Sequence, residues 1–130
     1  MSGESKFFFV VACVFLATAG ALAAFGFHGP EEVLAGKRQS WGWAVDMQYY
    51  HGAGLIAVGF LTHLFGASWW FRAAGGLMIA GVFVFSFLVY LNVNGVLLAL
   101  SPMVPTGGSM LMGSWLVLGL GIILTKRKGS

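Results

Sequence analysis

The feature that most constrains this chain is a run from Phe7 to Phe27 that contains no charged side chain. A helix needs about 20 apolar residues to cross a bilayer. Three later stretches, at 47–66, 73–91 and 107–125, are of similar length and character. Only 8% of the residues are charged, whereas soluble domains carry about 25%. The sequence therefore predicts an integral membrane protein with four spans.

The predicted fold class is all-α, a four-helix bundle that forms a single membrane domain over residues 1–130. The segment Val82 to Phe85 would suit a strand by propensity, but a lone strand in lipid leaves its backbone groups unpaired. We expect the first segment to be a true span and not a cleaved leader, because its apolar run is long. The one cysteine, Cys13, lies inside that run. We expect it to be a small buried hydrophobic residue.

Basic residues lie at the ends of the apolar segments and form no patch suited to nucleic acid. With four spans, the N-terminus, the turn at 67–72 and the C-terminus share one side of the membrane. That side carries Lys6, Arg72, Lys126, Arg127 and Lys128. The opposite side carries Lys37 and Arg38. The positive-inside rule therefore predicts that both termini are cytoplasmic.

Two connections carry further predictions. Pro30, two glutamates and Gly36 predict a short interfacial helix at about 30–36. The uncharged connection 92–106 should lie in the interface or dip into the bundle, with Thr106 capping the last helix. Four tryptophans are predicted to anchor the chain at the membrane interface: Trp41, Trp43, Trp69 and Trp70.

Twenty glycines are present, and small residues let helices approach closely in lipid. Pairs four residues apart mark predicted packing faces, within one chain or between subunits. The predicted packing residues are Gly20, Ala24, Gly76, Ala80, Ser109 and Gly113. Gly107 and Gly108 suggest a helix start that needs close packing.

The three histidines do not form a shared metal site by spacing. His51 and His63 are twelve residues apart on one helix, about 18 Å along its axis and on different faces. We predict no metal and no cofactor, and a haem held between His28 and His51 is the weakest of the alternatives. We expect His51 to lie about one turn inside the membrane and His63 to reach the headgroups at the other boundary.

Polar residues could converge near the outer leaflet. The topology brings the end of the first span, the start of the second and the end of the third to the same side. The candidates for this polar cluster are His28, Asp46, Tyr50, His51, Ser86, Tyr90 and Asn92. The group would serve either as a ligand pocket or as a hydrogen-bonded network that fixes helix register. No known catalytic motif occurs in the sequence.

Four stretches in order resemble a known family: "AAFGFHG" (23–29), "MQYYHGAGLI" (47–56), "GVFVFSFLVYL" (81–91) and "VPTGGSMLMGSW" (104–115). Together they resemble the small membrane family of domain of unknown function 423, which includes eukaryotic transmembrane protein 256. The resemblance implies four spans in the bacterial inner membrane or a derived organelle membrane, and it implies no established activity. It highlights Phe25, Gly26, His28, Gly29, Tyr50, His51, Ser86, Tyr90, Pro105, Gly107, Gly108, Gly113 and Trp115. Phe27 departs from the pattern, where the family has a small residue.

The sequence thus favours a non-enzymatic membrane protein. It would be a binding module for a lipid- or quinone-like ligand, or an accessory subunit of a larger membrane complex. Membrane lipids, further copies of the chain or partner subunits are the expected partners, and nucleic acid is not. The alternatives are a small oligomeric transporter or channel and, third, a haem-binding redox subunit.

Overall fold

The computed structural model describes residues 1–127, and these form helices and turns without a strand. The helices are α1 (Gly3–His28), α2 (Glu31–Leu34), α3 (Arg38–Phe65), α4 (Trp69–Val82), α5 (Leu88–Val93) and α6 (Val104–Leu124). A π-helical turn, Phe83–Phe87, joins α4 to α5 without a break, and a 3-10 helix, Leu98–Met103, precedes α6. The all-helical prediction is confirmed for the described residues.

Three of the helical stretches are long and apolar enough to cross a membrane: Gly3–His28, Trp69–Val93 and Leu98–Leu124. The helix α3 is longer than any of these, with 28 residues, but its composition is more polar. Gln48, His51 and Thr62 are all buried in the protein. Other polar side chains of α3 are exposed, among them Asp46, Tyr50 and His63.

Successive long helices run antiparallel. The helix α1 packs along α3, α3 contacts α4, and α4 packs along α6. Arg72 at the start of α4 forms an ion pair with Glu4 at the start of α1. Ser68 and Thr125 share a hydrogen bond of 3.2 Å. The start of α1, the turn between α3 and α4, and the end of α6 therefore lie at one end of the molecule.

A continuous apolar core runs between the four long helices. Its fully buried side chains include Leu55, Phe71, Met78 and Val82. Each long helix contributes at regular spacing, as α1 does with Phe8, Ala12, Phe15 and Ala19. This spacing of three or four residues places those side chains on one face of α1, where they contact α3, α4 and the π-helical turn.

The same periodicity corrects the expectation for Cys13, which is exposed and not buried. It follows the buried Ala12 by one residue, about 100° around the helix. That rotation turns the thiol away from α3. The prediction that Cys13 is a buried hydrophobic residue was therefore wrong.

The helix that contains the second predicted span begins well before that span. The span was predicted at 47–66, and α3 begins at Arg38. The first residues of α3 include charges and carry no long apolar run, although Trp41, Ala44 and Val45 are buried at helical spacing. The prediction that Trp41 anchors the interface was also wrong. Trp41 is 3% exposed, and its indole nitrogen donates a hydrogen bond of 2.7 Å to the Leu22 carbonyl.

The chain enters α6 differently from the prediction. The helix begins at Val104, with Pro105 in its first turn and no side-chain cap. Thr106 lies inside the first turn and is exposed, so it does not cap the helix. Earlier in the chain, the short helix is Glu31–Leu34, and Gly36 follows it with a φ of 72°. Only glycine adopts such a φ readily.

The predicted packing glycines divide into two groups. A Cβ at Gly107 would lie 2.5 Å from the Phe85 backbone nitrogen, so α6 and the π-helical turn are in backbone contact there. Gly108 and Gly20 have ordinary room, and Ala80 is half-buried. By contrast, a Cβ at Gly76 or Gly113 meets nothing within 4 Å in the described chain. Ala24 and Ser109 are exposed, so packing at these positions would require a second chain.

Candidate functional site

A buried hydrogen-bonded network joins α1, α3 and α5. The Tyr90 hydroxyl donates to Gln48 Oε1 at 2.8 Å. Gln48 Nε2 in turn donates to the Phe15 carbonyl at 2.9 Å and to Thr18 Oγ1 at 2.7 Å. Gln48 is completely buried, and both of its amide atoms have partners. Such a satisfied network fixes how three helices fit together.

Two further contacts extend this network toward the end of the bundle that carries α2. Ser86 Oγ donates to the Ala44 carbonyl at 2.7 Å. The Trp41 ring packs between Phe25 and Tyr90, with centroid distances of 4.9 Å and 4.7 Å. Neighbouring side chains of the π-helical turn contact different helices. Phe85 contacts α6, whereas Ser86 contacts α3. The hydroxyls of Ser86 and Tyr90 are thus both used in contacts between helices.

His51 belongs to a different contact, on the side of α3 that faces α6. Trp115 Nε1 lies 3.0 Å from His51 Nε2, and His51 Nδ1 lies 2.7 Å from the Met47 carbonyl oxygen. An indole nitrogen only donates and a carbonyl only accepts. The imidazole is therefore neutral, with its proton on Nδ1.

His51 lies near the midpoint of α3. It is thirteen residues after the start of the helix at Arg38 and fourteen before its end at Phe65. The expectation that it lies about one turn inside the membrane stays a prediction. Trp115 similarly lies near the middle of α6.

A groove of ≈ 670 Å³ opens beside this pair, between α3 and α6. We call it the His51 groove. Its walls are almost entirely apolar and are formed by Met47, Tyr50, His51, Ala53, Phe85, Gly108, Leu111, Met112 and Trp115. Its volume falls within the range of about 300–1,000 Å³ that is typical of ligand sites. Tyr50 is 56% exposed and forms one edge.

A second groove, of ≈ 560 Å³, lies between α1 and α3. Arg38, Asp46 and Tyr49 supply its polar groups. Arg38 pairs with Glu31 and also donates to the Gly26 carbonyl, which ties α2 to the end of α1. Asp46 is exposed here, and it lines a different groove from Tyr50 although the two are four residues apart.

The seven predicted site residues are therefore spread over several places. Ser86 and Tyr90 are in the buried network, Tyr50 and His51 line the His51 groove, and Asp46 lines the second groove. His28 is exposed at the end of α1. Asn92 donates to the Val96 and Leu97 carbonyls, at 3.0 Å each, and so closes the turn after α5.

Sequence reasoning missed two members of these contacts, Thr18 and Gln48. Trp115 was highlighted by the family resemblance, but its contact with His51 was not predicted. Gln48 did have a signal in the sequence, because it lies on the buried face of α3 at helical spacing from its neighbours Trp41, Ala44, Val45 and Leu55. The contacts of Thr18 and Trp115 had no such signal, since the partner of each is more than 25 residues away in sequence.

The donor groups do not match a metal or haem site in the part of the chain that the structure describes. No three His, Cys, Asp or Glu side chains are grouped there so as to hold a metal ion. Both ring nitrogens of His51 are already engaged. Ligation by His51 would require loss of a hydrogen bond to Trp115 or to Met47.

Comparisons with known proteins agree with the membrane character of the helices. Residues 22–108 match the profile described as "Protein of unknown function (DUF423)". A UPF0382 membrane protein of Staphylococcus haemolyticus is 34% identical over 116 residues, which is 87% of this chain and 92% of that protein. The UPF0382 membrane protein YwdK of Bacillus subtilis is 32% identical over 114 residues, with 87% and 93% covered.

No solved structure matches the chain. The family profile covers more than half of the sequence, and the relatives align along nearly their whole length. The ordered motifs that suggested this family lie largely within the matched region. The chain therefore belongs to the DUF423 family of membrane proteins of unknown function.

Proposed function

We propose that the chain crosses the membrane four times, with α3 as the second span along the chain. At about 1.5 Å per residue, its 28 residues extend about 42 Å, more than the hydrocarbon thickness of about 30 Å. The polar side chains of Gln48, His51 and Thr62 lie on the buried side of α3, while Ile56 and Phe60 are among its exposed residues. Polar residues in membrane helices tend to face the bundle interior. This distribution supports a four-helix membrane bundle.

The charge distribution supports an orientation in the bacterial inner membrane with both termini in the cytoplasm. Among residues 1–127, one end of the bundle carries Lys6, Arg72, Lys126 and Arg127, and the other carries Lys37 and Arg38. Lys128 lies outside the described residues. Arg72 also lies over the Trp69 ring, 5.3 Å from its centroid. Such an arrangement is common where a helix leaves the hydrocarbon.

Within this membrane frame the protein acts as a non-enzymatic binding module, or as an accessory subunit of a larger membrane complex. The His51 groove carries this proposal, because it offers a ligand-sized apolar volume beside one buried hydrogen-bonded pair. Both ring nitrogens of His51, which lines the groove, already have partners in Met47 and Trp115. This suits binding better than catalysis.

The ligand of this groove is a lipid-sized apolar molecule that enters from the bilayer. Membrane lipids are thus the first partners, and further copies of the chain or other membrane subunits would cover the open faces around Gly76 and Gly113. The second groove supports one alternative, an oligomeric transporter or channel, because Arg38 and Asp46 line it together. Flux across proteoliposomes that exceeds flux across empty vesicles would favour this alternative.

A groove-filling variant tests the binding proposal. Ala53 is exposed and lines the His51 groove, so Ala53→Leu should occupy the site without disturbing the core. Ala17→Leu on the exposed face of α1 is the matched control. The protein would be extracted in native membrane discs and analysed by mass spectrometry for bound molecules. We expect a stoichiometric molecule on the wild type and on Ala17→Leu, reduced at least about fivefold on Ala53→Leu. Equal retention on all three proteins would overturn the proposal.

A further inference from the structure

Tyr50 carries a hydrogen-bond donor that the described chain does not use. Its side chain lines the His51 groove and is 56% exposed. Its hydroxyl makes no hydrogen bond with any of residues 1–127, whereas Tyr90 on α5 is paired with Gln48. The three phenols of the chain therefore differ: Tyr90 is part of the buried network, Tyr49 lines the second groove, and Tyr50 lines the His51 groove.

The depth of Tyr50 makes this unpaired donor informative. Its Cα lies about 18 Å along α3 from Arg38 and about 22 Å from Phe65. With α3 spanning about 30 Å of hydrocarbon, the residue is inside the apolar layer. Water is scarce there, and a hydroxyl without an acceptor costs free energy. The acceptor is therefore expected to arrive with whatever occupies the groove.

The walls of the groove indicate the shape of that occupant. Three aromatic side chains line it, Tyr50, Phe85 and Trp115, and Met47 and Met112 bring two thioether sulfurs. Aromatic rings favour stacked or edge-on contact with another flat ring. Thioethers also make favourable contacts with aromatic rings. The groove is thus suited to a planar ring better than to an acyl chain alone.

We propose that the His51 groove binds a lipid-soluble quinone, with one ring carbonyl accepting a hydrogen bond from the Tyr50 hydroxyl. This inference rests on the proposed binding function and names its ligand class. A quinone head is uncharged, so it can leave the headgroup layer and reach the middle of the membrane. A phospholipid cannot place its charged head there without a large desolvation cost. The isoprenoid tail would extend from the open groove into the bilayer.

The Trp115–His51 pair has a positioning role in this site. Trp115 donates to His51, and this bond holds the indole ring as one wall of the groove. Its indole nitrogen is therefore not available to the quinone in this arrangement. The specific polar contact rests on Tyr50, which makes the proposal sensitive to the loss of one oxygen atom.

Infrared difference spectroscopy tests this contact directly. The full chain would be reconstituted in nanodiscs with ubiquinone that has two isoprene units and ¹³C-labelled ring carbonyls. We expect saturable binding and a downshifted carbonyl stretching band, because a hydrogen bond weakens the C=O bond. Tyr50→Phe should abolish the shift and weaken binding about tenfold. Tyr49→Phe is the matched control, because Tyr49 lines the other groove, and it should behave as the wild type.

The outcomes separate this inference from the proposed function. Saturable quinone binding with the same band in Tyr50→Phe would overturn the assigned contact. A bound phospholipid that the quinone does not displace, or a second chain in the groove, would overturn the ligand class and leave the groove as a binding site. If the groove held no occupant and Ala53→Leu were indistinguishable from the wild type, both the quinone inference and the proposed binding function would be overturned.

Discussion

Trp115 Nε1 donates a hydrogen bond of 3.0 Å to His51 Nε2, and this bond joins α6 to α3 near the midpoint of both helices. The two rings lie 5.8 Å apart. Among residues 1–127 it is the hydrogen bond that joins these two helices. The imidazole can accept it only because its own proton is donated to Met47. The pair therefore combines a structural bond with one wall of the His51 groove.

The first prediction removes this bond. Trp115→Phe keeps an aromatic ring but leaves Nε2 of the buried His51 without a donor. We expect a loss of about 1–3 kcal/mol in the free energy of unfolding, the usual cost of an unsatisfied buried polar group. Unfolding by sodium dodecyl sulfate in mixed micelles would measure it. Trp43→Phe, at an exposed tryptophan, should change stability by less than about 0.5 kcal/mol.

The second prediction concerns the buried network. Tyr90→Phe deletes the donor to Gln48 Oε1, and that oxygen would remain buried without a partner. The expected loss is again about 1–3 kcal/mol of unfolding free energy. Tyr49→Phe provides the control at a partly exposed phenol. If both variants unfolded at the same detergent concentration, the network would not contribute to stability.

The third prediction uses two glycines of the same helix. Gly107→Ala would force its Cβ to within 2.5 Å of the Phe85 backbone nitrogen, so α6 must move away from the π-helical turn. We expect a cost of about 3 kcal/mol or more. At Gly113, the added methyl group meets nothing within 4 Å. Gly113→Ala should therefore be neutral or stabilise the helix by up to about 1 kcal/mol. Thermal unfolding in detergent would rank the two.

Equal stability for the two alanine variants would contradict the backbone contact between α6 and the π-helical turn. A loss of stability at Gly113→Ala alone would point to a second chain packed against that position. Measuring the oligomeric state of each variant alongside its melting temperature distinguishes these results.

The fourth prediction tests the orientation. Cys13 would first be replaced by alanine, and single cysteines would be introduced by Ala67→Cys and Ser101→Cys, which lie at opposite ends of the bundle and are exposed. A membrane-impermeant maleimide should label position 101 in cells whose outer membrane has been permeabilised. It should label position 67 only in inverted inner-membrane vesicles. Labelling of both positions from the same side would exclude a four-span arrangement.

Hydropathy predicted the membrane class and the helical fold because lipid imposes the same demand on every residue of a span. Each backbone group must be paired within its own segment, so a long uncharged run such as 7–27 permits few solutions. The family resemblance could likewise be read from local motifs. Hydropathy did not predict where α3 begins. Its start at Arg38 is marked by buried residues at helical spacing and not by an apolar run.

The candidate site was less predictable for a different physical reason. Sequence topology brought polar residues to one side of the membrane but did not determine their rotation about each helix axis. Asp46, Gln48, Tyr50 and His51 are within six positions on α3, yet they face the second groove, the buried network and the His51 groove. A difference of one residue turns a side chain by about 100°.

By itself, the sequence determined that the chain is a helical membrane protein of the DUF423 family, because composition and local order suffice for both. The tertiary structure alone decided which polar groups have partners. Gln48 and Tyr90 satisfy each other across 42 positions, and Trp115 reaches His51 across 64. Tyr50, next to His51 in sequence, lines the groove, and its hydroxyl has no partner among residues 1–127. Such pairings depend on how the helices rotate and pack against one another, which local sequence patterns do not specify.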